Sequence, residues 1–131
     1  VEILRVLMVC DEGCGVLGSV VFVSSAAGLK GERGAAVYCA TKAALDGLVR
    51  ALAAEFAPNV RVNAVLPGIM RTPMTVQTLE DADALARINS RYLLGVGEVV
   101  DAVSLICILL DKRSSWITGQ SYVVDGGRAI Y

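Results

Sequence analysis

The 131-residue sequence predicts an α/β fold, in which a doubly wound parallel sheet carries helices on both faces. The first observation is the run Ser19–Ser24 (SVVFVS), which is apolar without alternation, as is typical of a strand buried on both faces. The second is the order of segments along the chain: strand, helix, strand, helix, helix, strand. This order favours parallel strands joined by right-handed crossovers. The length suits one domain.

The segment before the first strand is ambiguous. Val1–Cys10 is apolar, and its period fits either the end of a helix or a strand. We expect the end of a helix there, followed by Asp11–Gly18 as a connecting loop that carries three glycines. Ser19–Ser24 then forms the first strand, and Ala26–Gly34 forms a glycine-rich loop.

A long helix is predicted over about Ala36–Ala57, because apolar residues recur there at the i, i+3, i+4 spacing of one helix face. These residues are Leu45, Leu48, Val49, Leu52, Ala53 and Phe56. Pro58 and Asn59 end the helix, and Val60–Leu66 (VRVNAVL) forms the second strand.

The remaining elements are a mixed segment, a helix and a short strand. Met70–Leu94 contains a polar helix around Thr78–Arg91, which we expect to lie near a ligand. An apolar helix over Glu98–Leu110 and a strand at Tyr122–Val124 follow. Three strands are fewer than the roughly five or six of a mean sheet. We therefore expect residues 1–131 to form a single truncated domain, the C-terminal half of a doubly wound one.

Composition excludes several classes of function. Twelve basic and thirteen acidic residues give a net charge of −1, so no basic excess exists to bind nucleic-acid phosphates. Histidine is absent, which excludes Ser-His-Asp catalysis and histidine metal sites, and we expect no metal. The longest uncharged stretch, Gly13–Leu29, falls short of the ~20 apolar residues of a membrane span. Four cysteines without CxxC spacing, and no signal peptide, predict a cytoplasmic protein.

The candidate catalytic residues are Ser25, Tyr38 and Lys42. Tyr38 and Lys42 are four residues apart at the start of the long helix, so they share one helix face. A lysine ammonium beside a phenol, together with the positive N-terminus of the helix, stabilises the phenolate and prepares the hydroxyl for acid–base work. Ser25 ends a buried strand, at the carboxyl edge where open α/β sheets bind ligands.

Taken separately, these signals are not specific. A tyrosine and a lysine at this spacing often form a structural or solvated pair, and Ser25 also suits a turn at a strand end. The glycines of Gly13–Gly18 (GCGVLG) match the pattern GxGxxG. A dinucleotide-binding turn must open a helix, however, and these glycines precede a strand.

Four segments in one order resemble the short-chain dehydrogenase/reductase family. They are GSVVFVSSAAG (Gly18–Gly28), YCATKAAL (Tyr38–Leu45), RVNAVLPGIMRTPM (Arg61–Met74) and ITGQSYVVDGG (Ile117–Gly127). In that family a serine lies thirteen residues before the catalytic tyrosine, which is the spacing of Ser25 and Tyr38 here (38 − 25 = 13). Lys42 matches the lysine of the family's YxxxK motif. The match covers about Gly18–Gly127.

The resemblance implies a partial Rossmann-like fold and a role for each residue. Tyr38 would donate or accept the proton, Ser25 would polarise the substrate carbonyl or alcohol, and Lys42 would hold the ribose hydroxyls of a nicotinamide. The cofactor-binding residues that it implies, for NADP or NAD, are Tyr38, Lys42, Pro67, Gly68, Ile69 and Thr72. Asn63 matches a structural position, and Met70–Leu94 would be the substrate lid.

The chain departs from the family at its start. The family's glycine-rich TGxxxGxG turn belongs far upstream of the tyrosine, whereas only 37 residues precede Tyr38. The residues that select NAD or NADP, and the family's catalytic asparagine, have no match. We expect an NAD(P)-dependent oxidoreductase, or its catalytic half, that interconverts an alcohol and a ketone. The alternative is a truncated, non-catalytic interaction module for full-length subunits. We also expect a homo-oligomer that forms through the helix over residues 36–57.

Overall fold

The computed structural model describes residues 6–9 and 18–130, which form a four-stranded sheet in the order β1-β2-β3-β4. The strands are β1 (Val6–Val9), β2 (Gly18–Val23), β3 (Val60–Pro67) and β4 (Ser121–Val124). Strands β2, β3 and β4 run parallel, and β1 pairs antiparallel with the outer edge of β2. The predicted fold class, a partial Rossmann-like α/β sheet with three parallel strands and flanking helices, is confirmed.

Strand β1 corrects the expectation of a helix end at the start of the chain. Its residues pair in register from Val6 opposite Phe22 to Val9 opposite Ser19. The physical reason is that an unpaired edge of β2 would leave its backbone N–H and C=O groups without partners, and β1 supplies them. The rest of the expected helix end, and the expected loop up to residue 17 with its glycines, lie outside the described residues.

Five helices occur in the described residues. They are α1 (Ala27–Lys30), α2 (Ala36–Phe56), α3 (Val76–Glu80), α4 (Ala82–Asn89) and α5 (Val99–Leu110), and single 3₁₀ turns lie at Lys112–Ser114 and Arg128–Ile130. Helices α2 and α5 match their predictions closely. Helix α1 lies where a glycine-rich loop was expected.

The predicted polar helix is interrupted at Asp81, which separates α3 from α4. Asp81 is in an extended conformation, and its carboxylate accepts a hydrogen bond from the backbone N–H of Ala84 at 2.7 Å. This is the geometry of a helix N-cap. The local hydrogen bond of a short acidic side chain therefore ends one helix and starts the next.

Helices α2 and α5 cover opposite faces of the sheet. Because side chains alternate along a strand, Phe22 packs under α2 and its neighbour Val21 packs under α5. The buried α2-side cluster contains Phe22, Leu45, Val49, Ala53, Val62, Ala64 and Leu66. The buried α5-side cluster contains Val21, Val65, Met70, Ala102, Ile106 and Leu109. Burial on both faces explains why β2 and β3 are not alternating in hydropathy.

Two polar side chains of β3 are buried and hydrogen-bonded. Asn63 is 0 % exposed, and its amide donates to the carbonyl of Ile117 at 2.9 Å and accepts from the N–H of Gln120 at 3.1 Å. The Arg61 guanidinium donates to the carbonyls of Ile117 and Asp111. Burial lowers the pKa of Arg61 from its ordinary value. These bonds fix the segment that leads into β4, and hence the position of that strand.

Within residues 6–9 and 18–130, no helix combines the length and the apolar character that crossing a membrane requires.

Candidate active site

A cavity of about 440 Å³ opens at the carboxyl ends of β2, β3 and β4. Its size lies in the roughly 300–1,000 Å³ range of small-molecule sites. The wall is formed by Ser25 after β2, by α1 and the loop after it, by Tyr38 of α2, by residues 67–69 at the end of β3, by parts of α3 and α4, and by the turn 125–129 after β4. This is the edge at which open α/β sheets bind ligands.

Two consecutive serines follow β2 and have different positions. Ser24 is buried, and its Oγ donates to the backbone carbonyl of Lys42 at 3.0 Å, which fastens α2 to the end of the strand. Ser25 lies in the cavity wall, and its Oγ accepts from the N–H of Ala27 at 3.2 Å. That bond orients the Ser25 hydroxyl and leaves its proton available for a ligand oxygen.

Tyr38 and Lys42 are neighbours on α2, as their spacing predicts. The Lys42 Nζ lies 5.7 Å from the centroid of the Tyr38 ring, and it also donates to the carbonyl of Val23 at 3.4 Å. Tyr38 is 49 % exposed and lines the cavity. Lys42 is half-buried behind it and is not part of the cavity wall. The ammonium therefore lies within cation–π distance of the Tyr38 ring, just behind the cavity surface.

The loop after β3 is seated tightly against its neighbours. The N–H of Gly68 donates to the carbonyl of Val124 at 2.9 Å, and the N–H of Ile69 donates to the Tyr92 hydroxyl at 3.3 Å. A Cβ on Gly68 would lie 2.8 Å from the Cα of Asp125 and 2.8 Å from Cε1 of Tyr92. Only glycine fits this approach, so the backbone itself forms this side of the cavity.

Thr72, like Lys42, is a predicted cofactor contact that does not form part of the cavity wall. Its N–H donates to Oγ1 of Thr75 at 3.0 Å, and the two threonine hydroxyls lie 3.1 Å apart. Thr75 also donates to the carbonyl of Met70 at 2.6 Å and lines the cavity itself. Thr72 thus lies just before α3, and Thr75, to which it is bonded, separates it from the cavity.

The sequence reasoning missed Tyr92 and Asp125 as cavity residues. Burial raises the pKa of the Tyr92 phenol above its ordinary value, so its hydroxyl stays protonated. The Asp125 carboxylate accepts from the N–H of Gly127 at 3.0 Å and of Ala129 at 2.6 Å, which holds the last turn against the cavity. The Asp-Gly-Gly sequence indicated a turn, but nothing in it indicated contact with the loop after β3.

Charged residues at the cavity mouth were also missed. They are Lys30, Glu32, Arg87, Arg91 and Arg128. Arg87 and Arg91 are four residues apart in the predicted polar helix, so a shared cationic face was the available signal. The remaining contacts join residues far apart in the sequence.

Comparison with known proteins identifies the class to which this site belongs. The model of a family described as Enoyl-(Acyl carrier protein) reductase matches residues 4–129. The chain belongs to the short-chain dehydrogenase/reductase family.

Its relatives include several named reductases. The chain is 41 % identical over 115 residues to a tropinone reductase homologue of Arabidopsis thaliana, which covers 86 % of this chain and 42 % of the relative. It is 42 % identical over 115 residues to L-xylulose reductase of Bos taurus, which covers 86 % of this chain and 47 % of that enzyme. The chain therefore spans less than half the length of these curated relatives.

Solved structures with the same fold include complexes with nicotinamide cofactors. A 4-hydroxyisoleucine dehydrogenase complexed with NADH aligns with a TM-score of 0.84 and 36 % identity, over 87 % of this chain and 48 % of that one. A putative 2-deoxy-d-gluconate 3-dehydrogenase from Agrobacterium tumefaciens with bound NADP has a TM-score of 0.84 and 29 % identity. The alignment covers 89 % of this chain and 48 % of that one. These relatives support a nicotinamide cofactor without deciding between NAD and NADP.

The residues present fit the nicotinamide end of such a cofactor. The donor set at the carboxyl edge consists of the Tyr38 hydroxyl and the Lys42 ammonium, which suit ribose hydroxyls. The close seating of Gly68 against Tyr92 and Asp125 leaves a backbone wall from Pro67 to Ile69, against which a flat ring can lie.

Proposed function

We propose that this chain forms the catalytic side of an NAD(P)-dependent oxidoreductase that interconverts a secondary alcohol and a ketone. The observation that carries the proposal is the Lys42 ammonium beside the Tyr38 ring, at a cavity that Ser25 also lines. A phenol next to a cation, with a second hydroxyl on the same cavity, is a set of groups suited to proton transfer at a carbonyl oxygen. The oxidoreductase class is shared by the relatives.

In the direction of reduction, each residue has one task. Ser25 donates its hydroxyl proton in a hydrogen bond to the substrate carbonyl oxygen and polarises it. Tyr38 gives its proton to that oxygen as the alcohol forms, and Lys42 stabilises the phenolate left behind until it takes a proton from water. A nicotinamide held at this site would supply the hydride for the carbonyl carbon. Oxidation of the alcohol uses the same groups in reverse.

The cofactor contacts are part of the same proposal. Lys42 and the Tyr38 hydroxyl hold the ribose hydroxyls, while Pro67, Gly68 and Ile69 face the nicotinamide ring. Thr72 adds a further cofactor contact from the segment before α3, where its hydroxyl is hydrogen-bonded to that of Thr75. We further propose a cytoplasmic location for the protein.

The experiment that tests this function is a titration of the chain with NADH and with NADPH, followed by nicotinamide fluorescence, with molecular mass measured in the same sample. We expect saturable binding of one cofactor per chain. Lys42→Met should weaken it by about tenfold, because hydrogen bonds from a charged donor are lost. The control is Lys112→Met at the surface turn after α5. Saturable binding that Lys42→Met weakens no more than Lys112→Met does would contradict the proposal.

The outer face of α2 supports a proposal about partners. Val37 and Leu48 are exposed at 80 % and 39 %, and their spacing of eleven residues, about three helical turns, places them on one side of α2. We propose that this face joins subunits, in a homo-oligomer of an active enzyme. The second candidate function, a non-catalytic module that associates with full-length subunits, would use the same face.

A charge at Leu48 tests this interface. We expect Leu48→Asp to shift the protein to a smaller species in light scattering, because it would bury an unpaired carboxylate between subunits. Val76→Asp, with the same charge at a residue of similar exposure (40 %) on α3, should leave the mass unchanged. Equal masses for wild type and both variants would show that α2 is not a subunit contact.

A further inference from the structure

The cavity mouth carries an excess of positive charge. Among the described residues that line the whole cavity, four are cations and two are anions. The cations are Lys30, Arg87, Arg91 and Arg128, and the anions are Glu32 and Asp125. Asp125 is buried, and its two oxygens accept the backbone N–H groups of its own turn. Only the Glu32 carboxylate therefore faces the cationic side chains.

Glu32 shows how these arginines hold an anion. Its Oε1 accepts from Nη1 of Arg91 at 3.3 Å, and its Oε2 accepts from Nη2 of Arg128 at 3.4 Å. The two arginines come from the segment after α4 and from the last turn of the chain. Their spacing lets each arginine bind one oxygen of the same carboxylate. The planar guanidinium is well suited to binding carboxylates.

Arg128 is better fixed than its present partner, whereas the Arg91 side chain is 54 % exposed against 44 % for Glu32. The Arg128 side chain is only 15 % exposed, and its guanidinium lies 6.0 Å from the centroid of the Tyr92 ring. Its carbonyl accepts from the Lys30 ammonium at 2.7 Å. An ion pair at such a shielded position is screened less than one on the open surface.

Glu32, in contrast, lies on an exposed loop between two glycines with positive φ. Gly31 has a φ of 76° and Gly34 a φ of 83°, and a Cβ on either would meet nothing within 4 Å. A loop that packs against so little can move at small cost in free energy. Within residues 6–9 and 18–130, Arg87 joins none of the ion pairs, and it lies one helical turn from Arg91.

We propose that the Arg91–Arg128 pair binds a carboxylate of the substrate, which takes the place of the Glu32 side chain. Arg87 adds to the attraction. The substrate class is then an oxo acid or hydroxy acid whose carboxylate is remote from the reacting oxygen: the carboxylate lies at the mouth, and the reacting oxygen lies at Ser25 and Tyr38. The placement of the reacting oxygen rests on the proposed function, whereas the carboxylate site stands on the arginines alone.

The experiment compares two ligands that differ in charge and little in shape. The probes are 4-oxocyclohexanecarboxylate and its methyl ester, with affinities measured by calorimetry on the chain. We expect the carboxylate to bind at least about tenfold more tightly, since its hydrogen bonds are charge-assisted. Arg91→Gln should remove most of that difference and leave the Kd of the ester within about twofold.

Glu32→Gln should act in the opposite direction and tighten the carboxylate alone, because the competing charge is gone. Arg113→Gln is the matched control, since Arg113 pairs with Asp111 at 2.9 Å on a surface remote from the cavity. Equal Kd values for acid and ester, or a response to Arg113→Gln as large as to Arg91→Gln, would overturn the inference. Two variants with opposite expected signs keep a folding defect from imitating the result.

Two further arms separate the inference from related possibilities. Inorganic pyrophosphate, as a probe for cofactor phosphates, should compete weakly. Tighter binding than the carboxylate with the same dependence on Arg91 would assign the arginines to the cofactor and overturn the proposal. Turnover separates the two proposals. Equal kcat/KM for acid and ester would support the oxidoreductase function and overturn the proposed carboxylate site. Arginine-dependent binding of the carboxylate without turnover would support the carboxylate site and contradict the oxidoreductase function.

Discussion

Replacing Tyr38 by phenylalanine is expected to reduce ketone turnover by about 10²–10⁴-fold, the range of a lost general acid. The substitution removes one oxygen and leaves the ring beside the Lys42 ammonium, so α2 and the cavity wall keep their shape. Binding of the reduced nicotinamide should change by less than about tenfold, because Lys42 and the loop after β3 are unaltered. The measurements are kcat with a ketone substrate and the Kd from nicotinamide fluorescence.

The matched control for this variant is Tyr122→Phe. Tyr122 packs among the residues buried under α5 and is not part of the cavity wall. Loss of its hydroxyl should leave kcat within about twofold, because a conservative change outside a site usually has only a small effect. Turnover of Tyr38→Phe close to that of the control would refute the acid–base assignment.

Replacing Gly68 by alanine is expected to lower the free energy of unfolding by about 1–3 kcal/mol, the usual cost of overpacking a well-packed site. The new methyl group would lie within 3 Å of the Asp125 backbone and of the Tyr92 ring, and neither can withdraw freely. The loop after β3, the hydrogen bond from Ile69 to Tyr92 and the last turn should shift together. Urea denaturation measures the stability, and the Kd for NADH should rise as well.

Gly47→Ala gives the contrasting control on the exposed side of α2. A Cβ there would meet nothing closer than the end of the Arg50 side chain at 4.0 Å. Because alanine favours a helix interior more than glycine does, we expect a gain of about 0.5–1 kcal/mol. Two glycine-to-alanine changes with opposite signs would localise the effect to the loop. A Gly68→Ala protein as stable as wild type would show that the close approach can relax.

The sequence allows the parallel strands and the two long helices to be predicted because their signals are local. The unbroken apolar run of β2 and the helical spacing of apolar residues along α2 each lie within one segment of the sequence. Each pattern therefore indicates which side chains are buried without reference to the rest of the chain. Strand β1 was not predicted, because its short apolar segment is decided by the unpaired edge of β2 rather than by its own period. The break at Asp81 was missed because a single capping carboxylate outweighs a continuous helical pattern.

The candidate site divides in the same way. Ser25, Tyr38 and Lys42 could be selected because a fixed spacing on one strand end and one helix brings them to the same edge. The contacts of Glu32 with Arg91 and Arg128 join residues 59 and 96 positions apart. No periodic pattern connects such distant positions, and the sequences of the loops that bring them together do not predict the loop conformations. The seating of Gly68 against Asp125 is of the same kind.

The bond from the Ser24 hydroxyl to the carbonyl of Lys42 has a consequence for how this protein can diverge. It fixes the end of β2 to α2, the two elements that position Ser25 and Tyr38, whose hydroxyls are proposed to react. The charged side chains of the cavity mouth lie instead on α1, on α4, on the 3₁₀ turn at Arg128–Ile130 and on the loops beside them, and they take no part in that attachment. Mutation can therefore exchange the charges at the mouth one at a time, and under the proposed function the substrate preference can change while Ser25 and Tyr38 keep their positions.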